Sequence, residues 1–169
     1  APWSYISGGA FLIEDNKWIV SLAGSHGQHG PTTEDGFVSF AKSLPAPDIY
    51  DIVTNAIPLT EPVIYKFPAS LRRHYEKLDK FPERYLILGD AVCSFNPLYG
   101  QGMTSAAMQA AALDDLLKEQ PNLNNLFKPY FRKISRIIDI PWQTAVGEDF
   151  RFPETKGKTL EQIAAALLR

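Results

Sequence analysis

Two patterns of apolar and polar positions follow one another along this chain. Short runs rich in aromatic and β-branched residues come first: Trp3 to Ile6, Ala10 to Glu14 and Trp18 to Leu22. Such runs predict strands. Asp15-Asn16-Lys17 separates the last two and predicts a hairpin turn, because Asp and Asn tolerate turn backbone. Ala23 to Pro31 holds three glycines and two histidines and reads as a loop.

The period then changes. Phe37, Phe40, Ala41 and Leu44 recur at helical spacing. Thr32 or Thr33 is the expected cap, and Glu34 and Asp35 suit the positive end of the helix dipole. Pro45 and Pro47 end this helix, and Ile49, Ile52, Val53 and Ala56 mark a shorter one. Val63 to Phe67, after Pro62, predicts a strand; Leu71 to Leu78, with Arg72, Arg73, His74 and Lys77, is charged and its pattern is ambiguous.

Tyr85-Leu86-Ile87-Leu88 is a continuous apolar run, which predicts a strand buried on both faces of a parallel sheet. A proline- and glycine-rich loop, Phe95 to Gly102, leads into a helix from about Met103 to Glu119. Its expected inner face is Met103, Ala106, Ala107, Ala110, Leu113 and Leu117. Asn122 or Asn124 caps the next expected helix, with Leu126, Tyr130, Ile134, Ile137 and Ile138 apolar and Pro141 interrupting it. A last helix is expected over Thr159 to Leu168. The pattern is mostly sheet before Lys80 and mostly helix after it, so the expected division is 1–80 and 81–169. The expected fold class is α/β, or α+β if the chain is a fragment.

Composition narrows the function. The 169 residues suffice for one domain of ordinary size, and 45% hydrophobic with 21% charged residues is globular composition. A formal net charge of −2 gives no field that would draw the chain to nucleic acid. The sequence holds no stretch long enough to span a bilayer. The single cysteine, Cys93, has no partner for an internal disulfide, which fits a reducing, cytoplasmic setting. No signal peptide is expected, since no basic region followed by an apolar run opens the sequence; Ala1-Pro2-Trp3 reads as a strand already under way, so a fragment of a longer protein is the expectation.

The chemistry lies in Gly89-Asp90-Ala91-Val92-Cys93-Ser94-Phe95-Asn96-Pro97-Leu98-Tyr99-Gly100-Gln101-Gly102-Met103. A buried strand would end in Gly89-Asp90, a tight loop follows, and an alanine-rich helix begins. Ligands of α/β sheets bind beyond the carboxyl ends of strands. Asp90 is therefore placed to accept hydrogen bonds from ligand hydroxyls. Gly100 and Gly102 let the backbone approach a flat ligand. The free N–H groups at the start of the Met103 helix favour negative charge in the same place.

This stretch resembles the second FAD motif of the para-hydroxybenzoate hydroxylase-like flavoproteins. Gly89, Asp90, Ala91, Pro97, Gly100 and Gly102 match its spacing; Cys93 stands where the family often has histidine, and Val92 where it has alanine. The resemblance implies an FAD-dependent oxidoreductase. Asp90 would hold the ribityl chain, Pro97 would lie beside the isoalloxazine ring, and the backbone of Gly100, Gln101, Gly102 and Met103 would meet its pyrimidine edge. It also implies a substrate-sheet portion over 1–80, and an FAD-contacting strand-loop-helix with C-terminal helices over 81–169. The implied activity is a monooxygenase that hydroxylates or epoxidises a small organic substrate with NAD(P)H and oxygen. The same scaffold serves prenyl-chain reductases and halogenases. The Gly-x-Gly-x-x-Gly unit that grips the pyrophosphate of FAD is absent here, so it is expected upstream in a longer protein. A non-catalytic binding module that kept the fold is the reading from another class.

Other candidates carry less. His26 and His29 have no third metal ligand near them in sequence, so the loop reading is preferred and no metal is expected. Cys93 reads as a small buried residue rather than a redox thiol. Arg72 and Arg73 could meet a diphosphate, but a solvated charged face is the simpler expectation. Trp3, Tyr5 and Trp18 read as core aromatics. The apolar side of the last helix could touch a membrane surface; packing on the parent domain is preferred.

Overall fold

The alternation at the start of the chain produces one long hairpin rather than three short strands. The computed structural model describes residues 4–119 and 123–157. Strands β1 (Ile6–Ile13) and β2 (Lys17–Gly24) pair antiparallel, with Ile6 opposite Gly24 and Ile13 opposite Lys17. The turn falls where Asp and Asn predict it: Asp15 and Asn16 have φ of 59° and 55°. Gly8 lies inside β1, against the first two helices. A Cβ there would come within 2.7 Å of Ile49 Cδ1 and 2.8 Å of Leu44 Cδ1, so the ends of these side chains would have to shift to admit a larger residue.

Helix α1 (Glu34–Lys42) begins as expected, with the Thr33 hydroxyl accepting from the Gly36 N–H at 3.2 Å. Ala41 is its fully buried residue. Helix α2 (Asp48–Asn55) follows the prolines. The strand expected over Val63 to Phe67 does not form, and Val63 and Tyr65 are 91% and 81% exposed. Pro58, Pro62 and Pro68 remove ladder donors around it, and no neighbouring strand lies beside it among the described residues.

The chain divides into two compact units, Ala1–Lys66 and Phe67–Arg169, so the boundary lies earlier than Lys80. The reason is pairing. Strand β3 (Leu71–Arg72) lies antiparallel to β4 (Cys93–Ser94), with Leu71 opposite Ser94 and Arg72 opposite Cys93. Tyr75 then packs on Phe131, ring centroids 5.3 Å apart, and Phe81 meets Phe131 edge-on at 5.0 Å. These contacts tie 67–81 to the second unit.

Two helices form that unit's core. In α3 (Gly102–Glu119) the buried positions are Ser105, Gln109, Ala112 and Leu116. The inner face expected from sequence is therefore rotated: Met103 is 87% exposed, and Ala107, Ala110 and Leu117 are exposed too. In α4 (Phe127–Asp149) Tyr130, Phe131, Ile134 and Ile138 are buried. Pro141 does not interrupt α4, which continues to Asp149. Its N-cap is Leu126, without a side-chain cap, rather than Asn124; Asn122 lies outside the described residues.

Tyr85 to Leu88 forms no strand. Leu86 and Ile87 pack against the core, while Tyr85 and Leu88 are exposed. A strand needs neighbours about 4.8 Å away, and none flanks this run among the described residues. Trp3 and the helix expected over Thr159 to Leu168 fall outside the described residues; Trp18 is exposed on the ribbon rather than core. The described residues make an α+β arrangement of four α-helices and two small antiparallel sheets. None of their helices is long and apolar enough to cross a membrane.

Candidate functional site

The Gly89 turn is held against the middle of α3 by one buried side chain. The Gly89 N–H donates to Gln109 Oε1 at 2.9 Å, and Gln109 Nε2 donates to Ser105 Oγ at 3.1 Å. Gln109 is fully buried and Ser105 nearly so. Gly89 takes φ of 66°, a left-handed value that suits glycine. A Cβ there would sit 3.6 Å from Ala106 Cβ, an ordinary contact, so conformation rather than crowding selects glycine.

This anchor brings Asp90 to the N-terminus of α3. Gly89, Asp90 and Ala91 form one turn of 3-10 helix, and Asp90 and Ala91 are exposed. A Cβ placed on Gly102 would lie 3.7 Å from Asp90 Oδ1. Residues twelve positions apart in the motif thus adjoin, and Asp90 stands beside the first turn of α3. Such a turn leaves N–H groups without intrahelical partners and carries partial positive charge.

The intervening loop makes a second 3-10 turn, Pro97–Tyr99, which Gly100 ends with φ of 62°. Among the described residues, chain neighbours aside, nothing lies within 4 Å of where a Gly100 Cβ would be, so the backbone there is open on that side. Pro97 is exposed next to it. The Gln101 carbonyl accepts from the Ser105 N–H at 3.0 Å. Gln101 Oε1, by contrast, is buried with no hydrogen-bond partner among the described residues. Gly89, Asp90, Gly102 and the α3 start lie together; Gly100, Gln101 and Pro97 line the adjoining loop, and Met103 is exposed.

Asn96 closes the loop. Its Oδ1 accepts from the Leu98 N–H at 3.2 Å and its Nδ2 donates to Asp149 Oδ1 at 2.9 Å. The Tyr99 hydroxyl donates to the same oxygen at 2.8 Å. Burial, and then the Asp149 carboxylate, push the Tyr99 phenol well above its ordinary range, so it stays a donor.

Cys93 is buried as expected, and burial pushes its thiol from 9.0 to about 12; Arg72 lowers it and Asp90 raises it by less. Arg72 departs from the solvated-face expectation. Its side chain is only 10% exposed, and Nη2 donates to Asp139 Oδ1 at 2.6 Å and to Ser135 Oγ at 3.0 Å. It is a structural tie between β3 and α4. Arg73 is exposed and donates to the Ala91 carbonyl at 3.2 Å. Sequence reasoning did not single out Gln109, Ser105, Asn96 or Asp149. The available signal was Ser105 and Gln109, polar residues one helical turn apart in an alanine-rich helix.

No family model matches the chain. Over 110 residues it is 37% identical to Protein Rv3254 of Mycobacterium tuberculosis (strain ATCC 25618 / H37Rv), an alignment that takes in 65% of this chain and 23% of that protein. The chain thus spans about a quarter of the length of this curated relative.

Proposed function

We propose that this chain is the C-terminal, flavin-contacting part of a cytoplasmic FAD-dependent oxidoreductase of the para-hydroxybenzoate hydroxylase-like kind. The activity proposed for the whole protein is a monooxygenase that hydroxylates or epoxidises a small organic substrate with NAD(P)H and oxygen. The observation that carries the proposal is the adjacency of the Asp90 carboxylate and Gly102 at the first turn of α3. A carboxylate there is suited to sugar-like hydroxyls, while the helix terminus suits a group that gains negative charge.

Three further features fit such a group. The backbone at Gly100 is open to a flat ring. Gln101 Oε1 is a buried acceptor without a partner among the described residues. Tyr85 to Leu88 leads directly into Gly89 as an apolar segment with no strand beside it among the described residues, which the remaining strands of an FAD domain would complete. Asp90 would hold the ribityl chain, Pro97 would lie beside the ring, and Gly100 to Met103 would present backbone to its edge. The flavin supplies the redox chemistry; the residues here bind and orient it and supply partial positive charge.

The test is the intact mass of the protein from its own source, with the released cofactor identified. A chain well above 18.9 kDa that carries FAD is the expected result. In that protein Asp90→Ala should lower retained FAD at least about tenfold, the loss of a charge-assisted hydrogen bond or two, with the melting temperature of the apoprotein unchanged. A flavin-free protein, or an Asp90→Ala variant with full flavin content, would overturn the reading.

A further inference from the structure

Asp149 is the last residue of α4. A carboxylate at a helix C-terminus meets the negative end of the dipole, an unfavourable place. Three donors are arranged around it. Asn96 Nδ2 and the Tyr99 hydroxyl reach Oδ1 at 2.9 and 2.8 Å, and the Ser70 hydroxyl reaches Oδ2 at 3.4 Å. Ser70 Oγ in turn accepts from the Asn96 backbone N–H at 3.2 Å. Asn96 is thus held by its main chain and its side chain at once, and Tyr99 by its hydroxyl.

These are the two ends of the Pro97–Tyr99 turn. Inside the turn, Asn96 Oδ1 accepts from the Leu98 N–H, and the Pro97 carbonyl accepts from the Gly100 N–H at 3.1 Å. The bonds that shape the turn and those that fix it to α4 share Asn96. All four residues are partly buried, where charge-assisted hydrogen bonds are stronger than in water. A turn without such ties would have only its own short-range bonds to set the orientation of Gly100.

We propose that Asp149 is a positioning residue: its carboxylate clamps the Asn96–Gly100 turn and thereby sets the backbone that approaches the ring, an inference that rests on the flavin reading above. The carboxylate makes the clamp strong rather than merely possible. An amide at 149 could keep its oxygen toward Asn96 and Tyr99 and donate to Ser70 Oγ, but its bonds to Asn96 and Tyr99 would lose their charge assistance and about half their strength.

The experiment uses the whole protein with its cofactor and compares it with Asp149→Asn and Tyr99→Phe. Amide hydrogen exchange at Leu98 and Gly100 should rise about tenfold or more in Asp149→Asn, and less in Tyr99→Phe, which keeps the Asn96 bond. The midpoint potential of the bound flavin should shift in the same order. If Asp149→Asn does not fold, Tyr99→Phe alone carries the test. Exchange at wild-type rates in the variants overturns the clamp, whether or not flavin is bound. Faster exchange with an unmoved potential overturns its role toward the ring. A wild-type protein without flavin would sink the earlier reading, and exchange alone would then decide the clamp.

Discussion

The backbone N–H of Gly89 and the side chain of Gln109 meet at 2.9 Å in the interior of the second unit. This bond ties the turn before Asp90 to the middle of α3. Gln109→Leu keeps the volume but removes the acceptor, leaving a buried N–H unsatisfied at a cost of about 1–3 kcal/mol. Urea unfolding should show the midpoint falling with the slope unchanged. Gln109→Glu retains an acceptor oxygen but buries a carboxyl, so it should fall between the two and worsen as pH rises and the carboxylate forms. A Gln109→Leu protein of wild-type stability would mean that this bond does not fix the turn.

The same residue explains what the sequence concealed. The extent of α3 was legible, because Gly102 opens it and the helix formers continue to Glu119. Its inward face was not. Ala106, Ala107, Ala110, Ala111 and Ala112 surround the helix with small apolar positions, so no stripe stands out. The polar Ser105 and Gln109 set the rotation by turning inward to their partners. Helices α1 and α2 were legible because Thr33 and the prolines at 45 and 47 mark their ends. Tyr85 to Leu88 carries a strand's composition, but a strand also needs a neighbour, and composition does not record whether one is in the chain. The Asn96–Asp149 contact spans 53 positions and leaves no local pattern.

Gly100 tests the approach of the backbone to a ring. With φ of 62°, any L-residue there is strained by about 1–2 kcal/mol. Because the space around the missing Cβ is open, Gly100→Val should fold with roughly that loss. In the flavin-bearing protein its FAD content should drop further than Gly100→Asn, whose side chain tolerates left-handed backbone. Flavin content and the thermal midpoint, measured on both variants, separate crowding from strain. Full flavin content in Gly100→Val would rule out close approach.

Burial of the Cys93 thiol makes stability depend on alkaline pH. Its folded value of about 12 lies above the ordinary 9.0. Between these values the unfolded chain loses a proton that the folded chain keeps, so the unfolded state binds fewer protons and stability falls as pH rises. The contribution is complete below pH 9 and is lost on the way to about 12. At its steepest the slope approaches one proton, about 1.4 kcal/mol per pH unit. Tyr130, pushed to about 12 by burial, acts in the same direction from 10.0 upward. Denaturation midpoints taken from pH 8, below this window, to about 10.5, inside it, should decline in the wild type once pH passes 9 and decline less steeply in Cys93→Ala. Equal slopes would show that the thiol is not held protonated by the fold.

Tyr130 offers a prediction of the opposite sign. It is fully buried at the centre of the α3–α4 core, packed on Phe131 at 5.3 Å, yet its hydroxyl has no hydrogen-bond partner among the described residues. The ring contributes packing; the hydroxyl has left water without a replacement, a cost of about 1–3 kcal/mol. Tyr130→Phe keeps the ring and removes the unsatisfied atom, so it should raise stability by about 1 kcal/mol, less than the full penalty because the hydroxyl's own volume is lost. Removing the whole ring in Tyr130→Ala should cost about 3–5 kcal/mol, as for other large buried aromatics. Paired denaturant curves decide the matter. A Phe variant less stable than wild type would show that the hydroxyl is satisfied in the folded protein.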